Sequence, residues 1–178
     1  DSPWQEPAPL LRAGIYWPGL SNPSLADLPW KQGRPVAAIT FYRALMQAAN
    51  TRVLDALITA LDTAGVNALP LYAASLKDPV AAATVEELLL DAQTGLILNG
   101  TSFALSKPGA EKSATPFDAC DCPVLQVVFS GGNEEGWRET VNGLSARDIA
   151  MNVALPEVDG RILSRAVSFK GLARRDEN

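Results

Sequence analysis

Short apolar runs of strand length, separated by helical patterns, constrain the fold of this chain more than any other feature. The run Val36–Tyr42 (VAAITFY) is almost continuously apolar, and Leu96–Leu98 and Val124–Phe129 are of the same kind. Such runs are typical of strands buried on both faces, as in a parallel sheet. Helical patterns lie between them, over Val53–Leu61 and after the capping pair Asp78–Pro79. The alternation predicts an α/β fold.

The order of these segments predicts an open, mostly parallel sheet with helices on both faces, of flavodoxin-like or periplasmic-binding-like shape. Further strands are expected at Arg12–Trp17, at Asn67–Ala73 and in the run that ends at Phe169. Pro70 lies inside the second of these and cannot donate a backbone hydrogen bond, which favours an edge position for that strand.

Composition narrows the possible functions. The chain has 178 residues, is 47% hydrophobic and has a net charge of −5. The apolar content suffices for one packed domain, expected over residues 13–178, with the proline-rich residues 1–12 as a linker remnant. The acidic balance argues against nucleic-acid binding. No apolar run approaches the ~20 residues that cross a membrane. Because no targeting pattern is seen either, we expect a cytoplasmic protein.

Histidine is absent, and Cys120 and Cys122 are the only cysteines. Their spacing disfavours a disulfide between them, and no second cysteine pair is present to complete a closed four-ligand metal site. We therefore assign no metal ligands and interpret both as loop cysteines. Without histidine, proton chemistry must rest on carboxylates, thiols or amides. Two carboxylates, Glu157 and Asp159, lie in a predicted turn bounded by proline and glycine, where side chains can face a ligand.

Polar side chains at the ends of the predicted strands form a second group of candidates. Ligands of open α/β sheets bind beyond the carboxyl ends of the strands. The residues at those ends include two cations and three neutral polar groups: Arg43, Lys77, Asn99, Thr101 and Ser102. Together they suit a carboxylate, an amide or a phosphate, although polar residues also occupy such turns for structural reasons alone.

Nucleotide chemistry is not supported by the sequence. The turn Ser130–Asn133 contains two glycines before a predicted helix, as phosphate-binding turns do, but Glu134 and Glu135 follow it and would repel an anion. Neither glycine-rich nucleotide-binding motif is present. Ser145 and Asp148, further along, have the spacing of a helix-capping box.

Four long blocks of the chain resemble the large, tetrapyrrole-binding subunits of cobaltochelatases and magnesium chelatases. They are PVAAITFYRA (35–44), NALPLYAASLKDP (67–79), CPVLQVVFSGGNEEGW (122–137) and GLSARDIAMNVALPEVDGRI (143–162). The similarity favours the aerobic cobaltochelatase branch. It implies one segment of a much longer subunit, which binds hydrogenobyrinic acid a,c-diamide and receives Co²⁺ as substrate metal in cobalamin biosynthesis. It also implies two smaller partner subunits that bind ATP and Mg²⁺, and a segment without activity alone.

The resemblance also suggests roles for the candidate residues. Macrocycle N–H protons must leave as a metal enters, and Glu157 is the expected base, with Asp159 as a supporting acid. Arg43, Lys77 and the residues 99–102 are expected to contact carboxylate and amide arms of the substrate. Two alternatives stay open: a magnesium chelatase large subunit, which takes a porphyrin, and a non-catalytic ligand-binding α/β module.

Overall fold

One six-stranded sheet organises the protein. The structure, a computed structural model, describes residues 11–102, 105, 114–139, 141 and 143–170. Strands β2 to β6 are parallel, and β1 is antiparallel to its neighbour β3, in the order β1-β3-β2-β4-β5-β6. The expected open, mostly parallel sheet is confirmed. The strands are β1 Ala13–Ile15, β2 Val36–Tyr42, β3 Asn67–Ala73, β4 Leu96–Asn99, β5 Val124–Phe129 and β6 Ile162–Ser168.

Six α-helical segments connect or flank these strands. The Asp78 carboxylate caps α3 as predicted, because it accepts hydrogen bonds from the amides of Val80 and Ala81. A π-helical stretch, Ala150–Ala154, joins α5 to α6, so that residues 146–157 form one continuous helix, here called the C-terminal helix. The segments are α1 Ala44–Gln47, α2 Arg52–Thr63, α3 Pro79–Asp91, α4 Glu134–Glu139, α5 Ala146–Ile149 and α6 Leu155–Glu157.

Helices cover both faces of the sheet, as the sequence predicts. On one face, Leu54 and Ile58 of α2 pack against Ile39 and Phe41 of β2. On the other, apolar residues of α3 pack against Ala38 and its neighbours. Consecutive residues of β2 therefore enter opposite cores, which explains why this strand has no polar alternation. Each fully buried large apolar side chain contributes about 1.5–3 kcal/mol to folding.

The position of β3 differs from the prediction. Pro70 favours an edge strand, yet β3 lies between β1 and β2. The Pro70 carbonyl accepts a hydrogen bond from the Tyr16 amide at 2.9 Å, so its backbone polar groups point towards the β1 side. That side is covered only by the three residues of β1, and the missing N–H of Pro70 falls where β1 ends. The proline is tolerated because its missing N–H affects only the short hydrogen-bond ladder between β3 and β1, whereas the ladder between β3 and β2 stays intact.

The order of the parallel strands defines where a ligand would bind. Without β1 it is β3-β2-β4-β5-β6, the doubly wound order of flavodoxin-like folds, in which the chain changes direction between β2 and β4. Gly100 follows β4 at this switch point. A Cβ atom on Gly100 would lie 2.3 Å from the ring of Phe129, so only glycine permits this close approach of β4 and β5. Two of the clefts formed by the described residues lie at the carboxyl edge beside the switch point.

Candidate functional site

The larger of the two clefts has a volume of about 790 Å³ and lies beyond the carboxyl ends of β2, β4, β5 and β6. We call it the large cleft. Its lining combines polar, apolar and cationic side chains. The polar ones include Ser102, Ser130, Asp148 and Asn152; the apolar ones are Leu45, Val53, Phe129, Met151 and Phe169; the cations are Arg147 and Lys170. A cleft of this size with apolar walls and a few polar groups is typical of a ligand site.

Asp148 is a buried carboxylate in this lining, with 6% of its surface exposed. The C-terminal helix places it there, because the Ser145 hydroxyl accepts a hydrogen bond from the Asp148 amide and starts the helix. One carboxylate oxygen accepts from the Ser130 hydroxyl at 2.8 Å. The other accepts from the Gly131 amide at 3.3 Å and from the Asn152 side chain at 3.4 Å. Only the first half of the predicted capping box forms, since the carboxylate turns towards β5.

Asn152 extends this polar group towards β4. It lies one helical turn after Asp148, and its side-chain oxygen accepts a hydrogen bond from the Ser102 hydroxyl at 2.6 Å. The Ser102 carbonyl in turn accepts from the Tyr42 hydroxyl at 2.7 Å. A continuous hydrogen-bonded chain therefore links the ends of β2, β4 and β5 to the C-terminal helix. Burial raises the pKa of Tyr42, while the Ser102 hydrogen bond and the charge of Arg161 act in the opposite direction.

A second, smaller cleft of about 320 Å³ adjoins the other side of the switch point. Three of the residues predicted to bind substrate, Lys77, Thr101 and Ser102, line it together with Tyr42 and Leu105. Ser102 lines both clefts, so the two share one wall. The strand-end rule thus correctly places these side chains near one another.

The other two predicted substrate contacts lie elsewhere. Asn99 has no exposed surface. Its side-chain oxygen accepts hydrogen bonds from the hydroxyls of Thr40 and Thr101, each at 2.7 Å, and its amide nitrogen donates to Gln126 at 2.7 Å. Arg43 donates to the Leu11 carbonyl at 3.1 Å and is not among the residues that line either cleft. Asn99 thus lies behind the small cleft, hydrogen-bonded to Thr101, and Arg43 lies outside both cleft linings.

The two predicted catalytic acids occupy different environments. Glu157 is exposed, is the last residue of α6 and is not part of either cleft lining. The helix thus runs further than predicted, and the turn that should contain Glu157 comprises only Val158–Gly160. Asp159 lies in that turn and is buried.

Asp159 forms an ion pair with Arg161 at 3.0 Å and accepts a hydrogen bond from the Leu105 amide at 2.7 Å. Both side chains of the pair are almost fully buried. The guanidinium group of Arg161 lies 5.5 Å from the centre of the Phe117 ring. Burial lowers the pKa of Arg161, and the charges of Asp159 and Tyr42 oppose that shift. The Asp159 carboxylate is therefore committed to interactions within the protein.

Sequence reasoning missed two central residues of the large cleft. Asp148 was expected only as a capping residue and Asn152 was not singled out, whereas Ser130 begins one of the strand-end turns that the sequence identifies. One signal was available: Asp148 and Asn152 have the i, i+4 spacing that places them on one helix face. Two amides of the glycine turn after β5 are used within the protein. Its Gly131 amide donates to Asp148, and its Gly132 amide donates to the Ser130 hydroxyl at 3.1 Å.

Metal ligands are not clustered in the described part of the chain, where no group of three or more cysteine, aspartate or glutamate side chains is suitably placed. Cys120 and Cys122 are free and partly buried, and burial raises the pKa of both thiols. In the same part of the chain, no helix is both long and apolar enough to cross a membrane.

The sheet order defines a doubly wound α/β domain, and the large cleft lies at the switch point, where folds of this class bind ligands. Its family is shown by sequence. The model of the CobN/Magnesium Chelatase family matches residues 1–178, and the chain belongs to that family.

Known relatives agree with this assignment. The aerobic cobaltochelatase subunit CobN of a Sinorhizobium species is 46% identical over 97% of this chain, and that of Pseudomonas aeruginosa is 44% identical over 99%. The catalytic subunit of cobaltochelatase from Mycobacterium tuberculosis has the same fold over 98% of this chain, with a TM-score of 0.74 and 28% identity. The chain spans only 14% of the length of each of these three proteins.

Proposed function

We propose that this chain is part of the tetrapyrrole-binding subunit that inserts Co²⁺ into hydrogenobyrinic acid a,c-diamide, with ATP and Mg²⁺ bound by two smaller partner subunits. The observation that carries the proposal is the large cleft at the switch point, found in a chain that is similar along nearly its whole length to two CobN subunits. The remainder of the large subunit completes the site.

The chemistry of the clefts supports a large ring with acidic arms. Phe129, Met151 and Phe169 offer apolar surface to one face or edge of a macrocycle. Arg147 and Lys170, both exposed, can pair with carboxylate arms that extend from the ring. A volume of about 790 Å³ accommodates one part of such a substrate, so further walls must come from elsewhere in the subunit.

Metal insertion requires that ring N–H protons leave as the nitrogens become ligands. Glu157 is the proposed proton acceptor, because its exposed carboxylate is open to a ring held against the rest of the subunit. Asp159 supports it indirectly: its ion pair with Arg161 and its hydrogen bond to Leu105 fix the turn that follows Glu157. Lys77, Thr101 and Ser102 are proposed substrate contacts in the small cleft. Asn99 and Arg43 are proposed to act indirectly, by fixing the backbone segments to which their side chains are hydrogen-bonded.

The experiment that tests this proposal is Glu157→Gln in the intact large subunit, with substrate binding and cobalt insertion measured separately. We expect binding to be retained and insertion to fall by a factor of roughly 10²–10⁴, the usual contribution of a general base. Glu87→Gln, which removes an exposed carboxylate from α3, is the matched control and should leave both quantities unchanged. Full turnover in Glu157→Gln would remove the proton-acceptor role.

Two further measurements separate the related functions. Titration of the intact subunit with hydrogenobyrinic acid a,c-diamide and with a porphyrin distinguishes a cobaltochelatase from a magnesium chelatase. We expect the diamide to bind more tightly.

The isolated 178-residue chain, mixed with the ATPase subunits, should show no insertion, because most of the large subunit is then missing. Binding of a small sugar or nucleotide, with no response to tetrapyrroles, would instead identify a non-catalytic module.

A further inference from the structure

Asp148 is unusual because, among the described residues, a buried negative charge in a cleft wall is countered only by neutral donors. Its partners are a hydroxyl, a backbone amide and a side-chain amide, and two of the three hydrogen bonds are longer than 3.2 Å. A carboxylate offers about four acceptor positions. Asp148 therefore keeps capacity for a further donor, and the large cleft is the space from which one could approach.

The cations of the same cleft are not used to neutralise Asp148. Arg147 and Lys170 line the cleft, but within the described residues neither forms an ion pair with this carboxylate, and both side chains are exposed. The cleft thus has two electrostatic regions. Its buried part presents acceptors, the Asp148 carboxylate and the Asn152 side-chain oxygen, and its exposed part presents positive charge.

These two regions would treat the arms of a tetrapyrrole differently. A carboxylate arm brought next to Asp148 would place two negative charges together in a buried site, which is unfavourable. A primary amide arm carries no charge and donates two N–H groups, which Asp148 can accept. Carboxylate arms instead match Arg147 and Lys170.

We infer that Asp148 is a specificity-determining residue that selects an amide arm of the substrate over a carboxylate arm in the buried part of the large cleft. This inference rests on the proposed function, since it takes the substrate to be an amidated tetrapyrrole. On this inference, Asp148 distinguishes an amidated substrate from a non-amidated one before the metal is inserted. The reaction that supplies the substrate must then convert a carboxylate arm into an amide.

The test compares two ligands on the intact large subunit: hydrogenobyrinic acid a,c-diamide and the same macrocycle with free acids at those positions. Equilibrium titration by absorbance or fluorescence gives two dissociation constants and their ratio. We expect the wild type to prefer the diamide at least about tenfold, and Asp148→Asn to reduce that preference to less than about threefold, mainly through tighter binding of the acid. Asparagine keeps one acceptor oxygen for Ser130 or Gly131, which favours a folded variant.

The matched control is Asp91→Asn, which removes one exposed negative charge at the end of α3, at the opposite edge of the sheet. It should leave the ratio at the wild-type value. If Asp148→Asn does not fold, the wild-type ratio still decides: equal affinity for both ligands overturns the inference. An unchanged preference in folded Asp148→Asn also overturns it. Failure of both tetrapyrroles to bind the wild type would overturn the proposed function itself, so the two failures are distinguishable.

Discussion

Asp148 and Asp159 are equally buried, each with 6% of its surface exposed, yet their surroundings differ. Asp159 faces a cation, Arg161, at 3.0 Å, and a backbone amide at 2.7 Å. Asp148 faces three neutral donors and lines the large cleft. The first carboxylate is satisfied by the protein, and the second is satisfied only in part.

The comparison shows how a buried charge that serves ligand binding can be distinguished from one that serves the stability of the fold. A buried ion pair adds little net stability, but removal of one partner leaves an isolated charge and is costly. A carboxylate held by neutral donors tolerates removal of its charge much better. Stability measurements should therefore report mainly on Asp159 and its partner, and ligand measurements mainly on Asp148.

The largest expected effect is on stability, from Arg161→Met. The substitution leaves Asp159 buried without its cation and should lower the free energy of unfolding by about 3–5 kcal/mol. Chemical denaturation with urea measures it. The control is Arg138→Gln, which breaks an exposed pair with Glu134 one helical turn away and should cost less than about 0.5 kcal/mol. Equal losses in the two variants would mean that burial does not separate these ion pairs.

A smaller loss is expected from Asn99→Leu. This side chain is fully buried and bonded to Thr40, Thr101 and Gln126, whose polar groups would lose their partner. We expect a loss of about 2 kcal/mol in the free energy of unfolding. Such a loss would show that Asn99, like Asp159, serves mainly the stability of the fold. A stable variant with weakened substrate binding would instead indicate that Asn99 contacts the substrate directly.

Asp148→Asn should cost less stability than either of these changes. Asparagine keeps one neutral acceptor oxygen, for either Ser130 or Gly131, so a loss of about 1 kcal/mol is expected. Thermal unfolding followed by circular dichroism is sufficient to measure it. A loss of stability as large as that of Arg161→Met would contradict this distinction and show that Asp148, like Asp159, serves mainly the stability of the fold.

The smallest effect concerns pH and Tyr42. Burial raises the pKa of this phenol, so the folded state favours the neutral form. The corresponding stability is fully present below the unfolded pKa of about 10 and is lost as the pH rises through the higher folded value. The stability advantage of the wild type over Tyr42→Phe should therefore shrink above about pH 10. An advantage that grows with alkaline pH would show that the folded state favours the phenolate.

Much of the fold could be predicted because the strands of the sheet are short apolar runs with clear boundaries. The burial of β2 on both faces and the cap at Asp78 follow from local residue patterns. The position of β3 could not be predicted, because the direction in which Pro70 turns its backbone depends on pairing with β1. Local sequence also placed the end of the last helix too early, since Pro156 is accommodated in the first turn of α6, which follows a π-helical stretch.

The site was predictable only in part for a related reason. Strand ends identify the carboxyl edge, and Lys77, Thr101 and Ser102 line one cleft there; their contact with substrate stays a prediction. Whether a polar residue at that edge faces a cleft or closes a buried network depends on its partners across the sheet, as Asn99 shows with Gln126. Asp148 was overlooked because its partners, Ser130 and Gly131, are distant in sequence and reach it only through the pairing of β5 with the sheet.

Hydrogen–deuterium exchange of the intact large subunit, with and without hydrogenobyrinic acid a,c-diamide, tests the central claim most directly. If the ligand occupies the large cleft beside Asp148, amides of residues 130–132 and 145–152 should exchange more slowly when it is bound. Amides of residues 159–161, which already donate to the carbonyls of Pro156 and Glu157, should be unaffected. Protection confined to residues 159–161, with no change around Asp148, would contradict the account.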